Sequence, residues 1–171
     1  NGMRIGGTGL LFKQCVFHGP GKYPHLSEGT HYTHAIFKYY SIESDVIHED
    51  AGDIKFSDCM IQDADKFLAY EFGNKDLIQN NRPLRDLSFE NVSISGIRQT
   101  SIFKGSGERV TLFLKNVQLA FDPEIPFLRI DESVRLDLQQ VTFLQPTVIE
   151  MGNGKTLQFE GTVTVKLDSR P

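Results

Sequence analysis

The chain has 171 residues, with 18 Lys and Arg against 22 Asp and Glu and a formal net charge of -4. That length suits one domain spanning 1–171, and an acidic balance without a basic block excludes the charge footprint of a nucleic-acid binder. No apolar run approaches the ~20 residues of a membrane span, and 13 Phe, 13 Ile, 10 Val and 10 Thr against 5 Ala exclude a helical bundle and favour strands.

Taken in chain order, the apolar residues repeat a pattern: apolar-x-apolar-x-x-apolar-x-apolar. It appears first as Leu10, Phe12, Cys15 and Phe17, and less clearly as Ala35, Phe37, Tyr40 and Ile42. It returns as Ile54, Phe56, Cys59 and Ile61, then Leu87, Phe89, Val92 and Ile94, then Leu112, Leu114, Val117 and Leu119. Leu136, Leu138, Val141 and Phe143 follow, and Leu157, Phe159, Thr162 and Thr164 close the series as a weaker copy. A period in the low twenties means one short unit per repeat, too small to bury a core by itself.

The internal spacing carries geometry. Strand side chains alternate faces, so slots two apart share a face. The middle gap is three, and the one extra residue turns the chain so that both pairs point inward. The residue before the third slot is Gln14, Asp58, Asn91, Asn116, Gln140 or Gly161. Asn, Asp and Gly suit left-handed corners, and stacked amides form ladders. Further strands are expected at 67–72, 101–103, 127–130 and 147–151. The expected fold is all-β: a single-stranded right-handed parallel β-helix, a solenoid of about six to seven coils, its hand following the crossover preference of parallel strands. Phe12, Phe56, Phe89, Leu114 and Leu138 should face inward, and Leu11, Phe113 and Phe121 outward. Cys15 and Cys59 read as small core residues, because two cysteines define no disulfide framework. Polar insertions at 18–34 and 73–83 interrupt the rhythm and are the natural place for a ligand surface.

The stretch Leu87-Ser-Phe-Glu-Asn-Val-Ser-Ile-Ser-Gly-Ile97 resembles the coil signature of the pectin-active β-helix superfamily, in particular the carboxyl-terminal coils of polygalacturonases and rhamnogalacturonan hydrolases. The opening Asn1-Gly-Met-Arg-Ile5 is similar to their Arg-Ile-Lys stretch, with Gly6 in place of the Lys. The Asp-Asp pair and the Gly-His-Gly of those hydrolases are not found here. The resemblance therefore implies a carbohydrate-associated protein that acts on or binds acidic plant-type polysaccharide such as pectin, as the carboxyl-terminal part or a non-catalytic homologue of a polygalacturonase-like glycoside hydrolase. It implies a secreted, periplasmic or cell-surface setting, a polysaccharide or oligosaccharide partner, and an upstream domain or self-association through exposed coil ends. The alternatives are a structural or interaction module of the adhesin or tailspike kind, and a calcium-dependent pectate lyase-like enzyme.

Spacing singles out the chemistry-bearing residues. Asp63 and Asp65 are the candidate catalytic pair: two apart on a strand, they should share one face at roughly the carboxylate separation that glycoside hydrolysis uses. The same pair is the candidate calcium site; no other cofactor is expected. His31 and His34 have no helical pattern to align them, so no metal ligand set is assigned. Instead His31, Tyr32 and His34 in the long insertion, with Asp50 and Arg4, form the candidate ligand-binding set: imidazoles and an acid for hydroxyls, a ring for stacking and a guanidinium for a uronate carboxylate.

Overall fold

The computed structural model describes residues 3–19, 33–41, 50–76 and 78–168, and every regular element among them is a strand. In chain order these are β1 (Met3–Ile5), β2 (Thr8–Lys13), β3 (Val16–His18), β4 (Thr33–Tyr39), β5 (Gly52–Ser57) and β6 (Met60–Glu71). They continue as β7 (Asp86–Ile97), β8 (Ser101–Lys104), β9 (Val110–Phe121), β10 (Leu128–Ile130), β11 (Val134–Met151) and β12 (Thr156–Asp168). The all-β expectation and the four further strands are therefore seen.

The pairing departs from the expected rod. β6 hydrogen-bonds to β7 through its first half and to β8 through its second. β11 likewise joins β9 through its first half and β10 through its second. Because β8 pairs with β10 and β7 with β9, the pairing returns to its start: β6, β8, β10, β11, β9, β7 and back to β6. All six contacts are parallel. The expected single-stranded right-handed β-helix solenoid of six to seven coils is thus corrected to a barrel-like fold, a closed ring of six parallel strands with β1 to β5 and β12 outside it. The physical reason lies in the bends. A strand that turns sharply presents its two halves to different neighbours, and the repeat spacing encodes that turn without encoding where the pairing ends.

The bends sit at the residues before the third slot. Gln14, Asp58, Asn91, Asn116 and Gln140 all have φ between 50° and 57°. This left-handed region admits Asn and Asp more readily than β-branched residues. Register then places like on like. Phe12 pairs with Phe56, Phe56 with Phe89, Phe89 with Leu114 and Leu114 with Leu138. The rings of Phe12, Phe56 and Phe89 stack at 4.8 and 4.7 Å, near parallel. Phe67 packs against Phe89 from the opposite wall at 4.7 Å.

Two repeat copies behave differently. Phe37 pairs with Met3 and Leu68, so the described part of this copy belongs to another wall than Phe12 and Phe56, and Ile42 lies outside the described residues. The last copy lies in β12, which runs antiparallel to β11. The turn at 152–155 sends the chain straight back, with Met151 N–H donating to Lys155 O and Gly154 N–H to Met151 O. Phe56, Phe89, Leu114 and Leu138 are buried as expected, whereas Phe12 is half-buried because nothing described covers its outer face. Leu11 is outward and exposed, but Phe121 is buried against Phe127 and Phe113 is half-buried.

The 73–83 insertion is a plug rather than a free loop. Gln79 is buried; its amide donates to Tyr39 O and Ala69 O at 2.7 and 2.9 Å and accepts from Glu71 N–H at 2.7 Å. Tyr70 Oη accepts from Leu84 N–H, and Tyr39 Oη donates to Arg82 O. One glutamine thus satisfies three backbone groups on two strands, β4 and β6, that would otherwise be buried without partners.

Candidate functional site

The bends build a groove of about 690 Å³ running across β3, β6, β7, β9 and β11. One bank is the ladder of corner side chains. Asn116 Nδ2 donates to Asn91 Oδ1 at 2.8 Å, and Asn91 Nδ2 donates to Asp58 Oδ1 at 2.9 Å. Ser57 Oγ donates to the other Asp58 oxygen at 3.1 Å. The two donated hydrogen bonds, Asn91's first, hold the Asp58 carboxyl below the usual carboxylate range. The ladder therefore has a polarity, amides at one end and an ionised acid at the other.

The other bank is a single row on the outer face of the next wall. Register aligns Val16 with Met60, Met60 with Ser93, Ser93 with Gln118 and Gln118 with Thr142. Val16 and Met60 are largely exposed, at 66% and 45%, so the row changes from apolar at β3 and β6 to polar at β7, β9 and β11. The groove floor carries Cys15 and Cys59. Backbone alternation explains this division: in each strand the slot residue goes in and its neighbour goes out.

A second cluster lies one step further along the same wall. His18 Nε2 sits 3.1 Å from Asp63 Oδ2, and Arg98 Nη2 lies 3.8 Å from Asp63 Oδ1. Asp63 has φ 58°, and Gly96 faces it so closely that a Cβ there would stand 2.6 Å from Asp63 Oδ1. Gly96, itself at φ 65°, is thus required both by its own backbone and by the carboxylate.

The sequence-predicted residues scatter. Asp63 and Asp65 do not share a face: the left-handed backbone at Asp63 breaks the alternation, leaving Asp63 partly exposed and Asp65 buried at 1% exposure. Asp65 Oδ2 has no hydrogen-bond partner. Burial raises the Asp65 pKa above the usual carboxylate range, against the opposing pull of Arg98 and Lys66. Asp50 pairs with the guanidinium of Arg85, which also reaches Glu108 at 3.2 Å. Arg4 lies with its guanidinium 5.9 Å from the centre of the Tyr40 ring. His31 and Tyr32 lie outside the described residues, and of His34 only the backbone, in β4, is described. Among the described residues no group of three or more His, Cys, Asp and Glu is gathered for a metal ion.

The partners that sequence reading missed are His18 and Arg98, which flank Asp63. Their signal was faint: His18 ends β3 and Arg98 follows the last residue of β7, so each lies only at a strand end. The corner amides were legible as a ladder but not as the bank of a groove. A scan against protein-family models, a search of curated proteins and a search of solved structures each returned no match.

Proposed function

We propose that this chain is a binding module for a linear, hydroxyl-rich oligosaccharide laid along the ladder groove, and that it does not cleave its ligand. The observation that carries this reading is the groove's composition along its length. Amide and carboxyl groups repeat at the strand spacing of about 4.8 Å, close to the rise of a sugar residue. Asn and Gln side chains each offer both donors and acceptors, matching hydroxyls that do both. Val16 and Met60 supply apolar surface for C–H faces. The absence of catalysis in this reading rests on Asp63 and Asp65: two carboxylates on opposite sides of one wall cannot flank a scissile bond. His18 and Arg98 beside Asp63 favour acidic over neutral sugars at that end.

The test is calorimetric titration of linear acidic and neutral oligosaccharides against the native protein, Asn91→Ala and Gln118→Ala. Each loss of a hydrogen-bonding side chain should cost about 1 kcal/mol, roughly five-fold in affinity. Binding that ignores both substitutions, or no binding of any linear glycan, overturns the reading, as does release of reducing ends.

A further inference from the structure

The floor of the groove carries an arrangement that the sugar-binding reading does not use. Cys15 and Cys59 occupy the same position in adjacent parallel strands. Val16 pairs with Met60, and Met60 N–H donates to Cys15 O at 2.9 Å, so the two cysteines stand directly opposite one another. Adjacent strands lie about 4.8 Å apart, within the Cα separation of about 4.4–6.8 Å that a disulfide spans. Both side chains point to the same side, the third-slot column that continues with Val92, Val117 and Val141. Burial holds the Cys59 pKa above the ordinary thiol value. Its thiol donates to Ser57 O at 3.2 Å and to Phe12 O at 3.5 Å. Cys59 is buried, Cys15 is half-exposed, and both are free thiols that line the groove.

We propose that Cys15 and Cys59 form a redox-dependent staple that closes to a disulfide when a small-molecule disulfide enters the groove and reopens under reducing conditions. The accessible Cys15 thiolate attacks one sulfur of the small disulfide, whose S–S bond breaks and releases one small thiol. Cys59 then loses its proton and attacks the Cys15 sulfur, forming the protein S–S bond and expelling the second small thiol. Two protein thiols are oxidised, one small disulfide is reduced to two thiols, and the two protons leave with them. The order follows exposure, Cys15 first and Cys59 as the resolving thiol. The Cβ atoms must approach to about 4.5 Å or less, and β2 and β3 supply that movement because described strands hold them on one side only. The consequence is local: the staple ties the outermost strands to β5 and β6, so it acts on the part of the sheet with fewest partners.

The experiment treats the native protein with oxidised glutathione, then quenches with acid and measures intact mass and free thiols. The expected result is a monomer about 2 Da lighter with no titratable thiol, restored by dithiothreitol. Amide exchange over residues 8–18 should slow several-fold in the oxidised form, with β9 and β11 unchanged. Cys15→Ser, at a half-exposed position, should show no mass loss and no change in exchange. A stable glutathione adduct, a disulfide-linked dimer through Cys15, or two persistently free thiols overturns the proposal. So does an oxidised form whose edge exchanges at the original rate. None of these readouts depends on sugar binding, so failure here leaves the groove reading standing, and failure of that reading leaves the staple standing.

Discussion

Phe12 and Phe56 hold the same slot of the same repeat, in the same column, yet they live in different surroundings. Phe56 is sandwiched between Phe12 and Phe89 and is fully buried, while Phe12 has a stacked ring on one side only and is half-exposed. Cys59 and Cys15 show the same contrast one slot later, buried against half-exposed. Outside the column the contrast recurs in charge. Glu90 lies between Lys55 and Lys115, bonded to both at 2.6 and 2.7 Å. In a structure built of near-identical units, the unit's own sequence sets which way a side chain points, and its neighbours set how much that side chain contributes.

The largest test of this contrast is truncation of the two rings. Phe56→Ala should cost about 3–5 kcal/mol, the range for a fully buried phenylalanine. Phe12→Ala should cost roughly half of that or less, because its transfer from water is incomplete. Urea unfolding of both variants measures the difference. Equal losses would mean that the first strands are covered as well as the middle ones, and the contrast would fall.

A smaller effect is expected from pH. The Glu90 carboxyl is pulled down to about 2, first by its bond from Lys115 and next by that from Lys55. A carboxyl whose folded pKa lies below its unfolded value of 4.5 contributes its stabilisation in full above that value. That contribution fades as pH falls from about 4.5 towards 2. Because both lysines paired with Glu90 are exposed, the effect is screened by salt. The stability of Glu90→Gln, followed by thermal unfolding between pH 5 and 2, should therefore fall less steeply than that of the native protein.

The smallest effect has the opposite sign. Asp65 is buried, one of its oxygens lacks a partner, and burial raises its pKa. Here the folded state holds the proton more tightly than the unfolded one, so this residue's contribution improves as pH falls towards its raised pKa. Asp65→Asn should raise the stability of the native protein at neutral pH by of order 1 kcal/mol, and should remove the part of the pH dependence that Asp65 supplies. A destabilised Asp65→Asn would show that the carboxylate has a partner that the second wall conceals.

Much of the local structure was legible. The spacing of Leu87, Phe89, Val92 and Ile94 specified two inward pairs and a corner, and Asn91 and Asn116 announced the left-handed bends. The closed pairing was not legible, because a bend has the same sequence signature whether the strand beyond it opens onto a new neighbour or returns to an earlier one. Nor was the direction of β12: its slots keep the spacing of the others with Thr162 and Thr164 in the last two, and the tight turn at 152–155 reverses it. The shared face expected of Asp63 and Asp65 was lost for a related reason. Two residues apart means one face only on a regular strand, and Asp63 is the residue at which β6 stops being regular. His18 reaches Asp63 from β3 through parallel register, a contact that separation along the chain conceals.

The reversal of β12 bears on how this molecule meets others of its kind. An unpaired parallel edge invites a further strand of the same direction, and among the described residues such an edge lies along β2. At the opposite side β12 offers an edge of reversed polarity, with register breaks in its pairing to β11 between Leu138 and Val141 and between Phe143 and Thr147. A second copy arriving there finds no continuation of the parallel lattice. In the language of polymer growth, β12 is a reversal rather than a repeat: a strand laid on its outer edge would meet a neighbour of opposite direction to the parallel strands behind it.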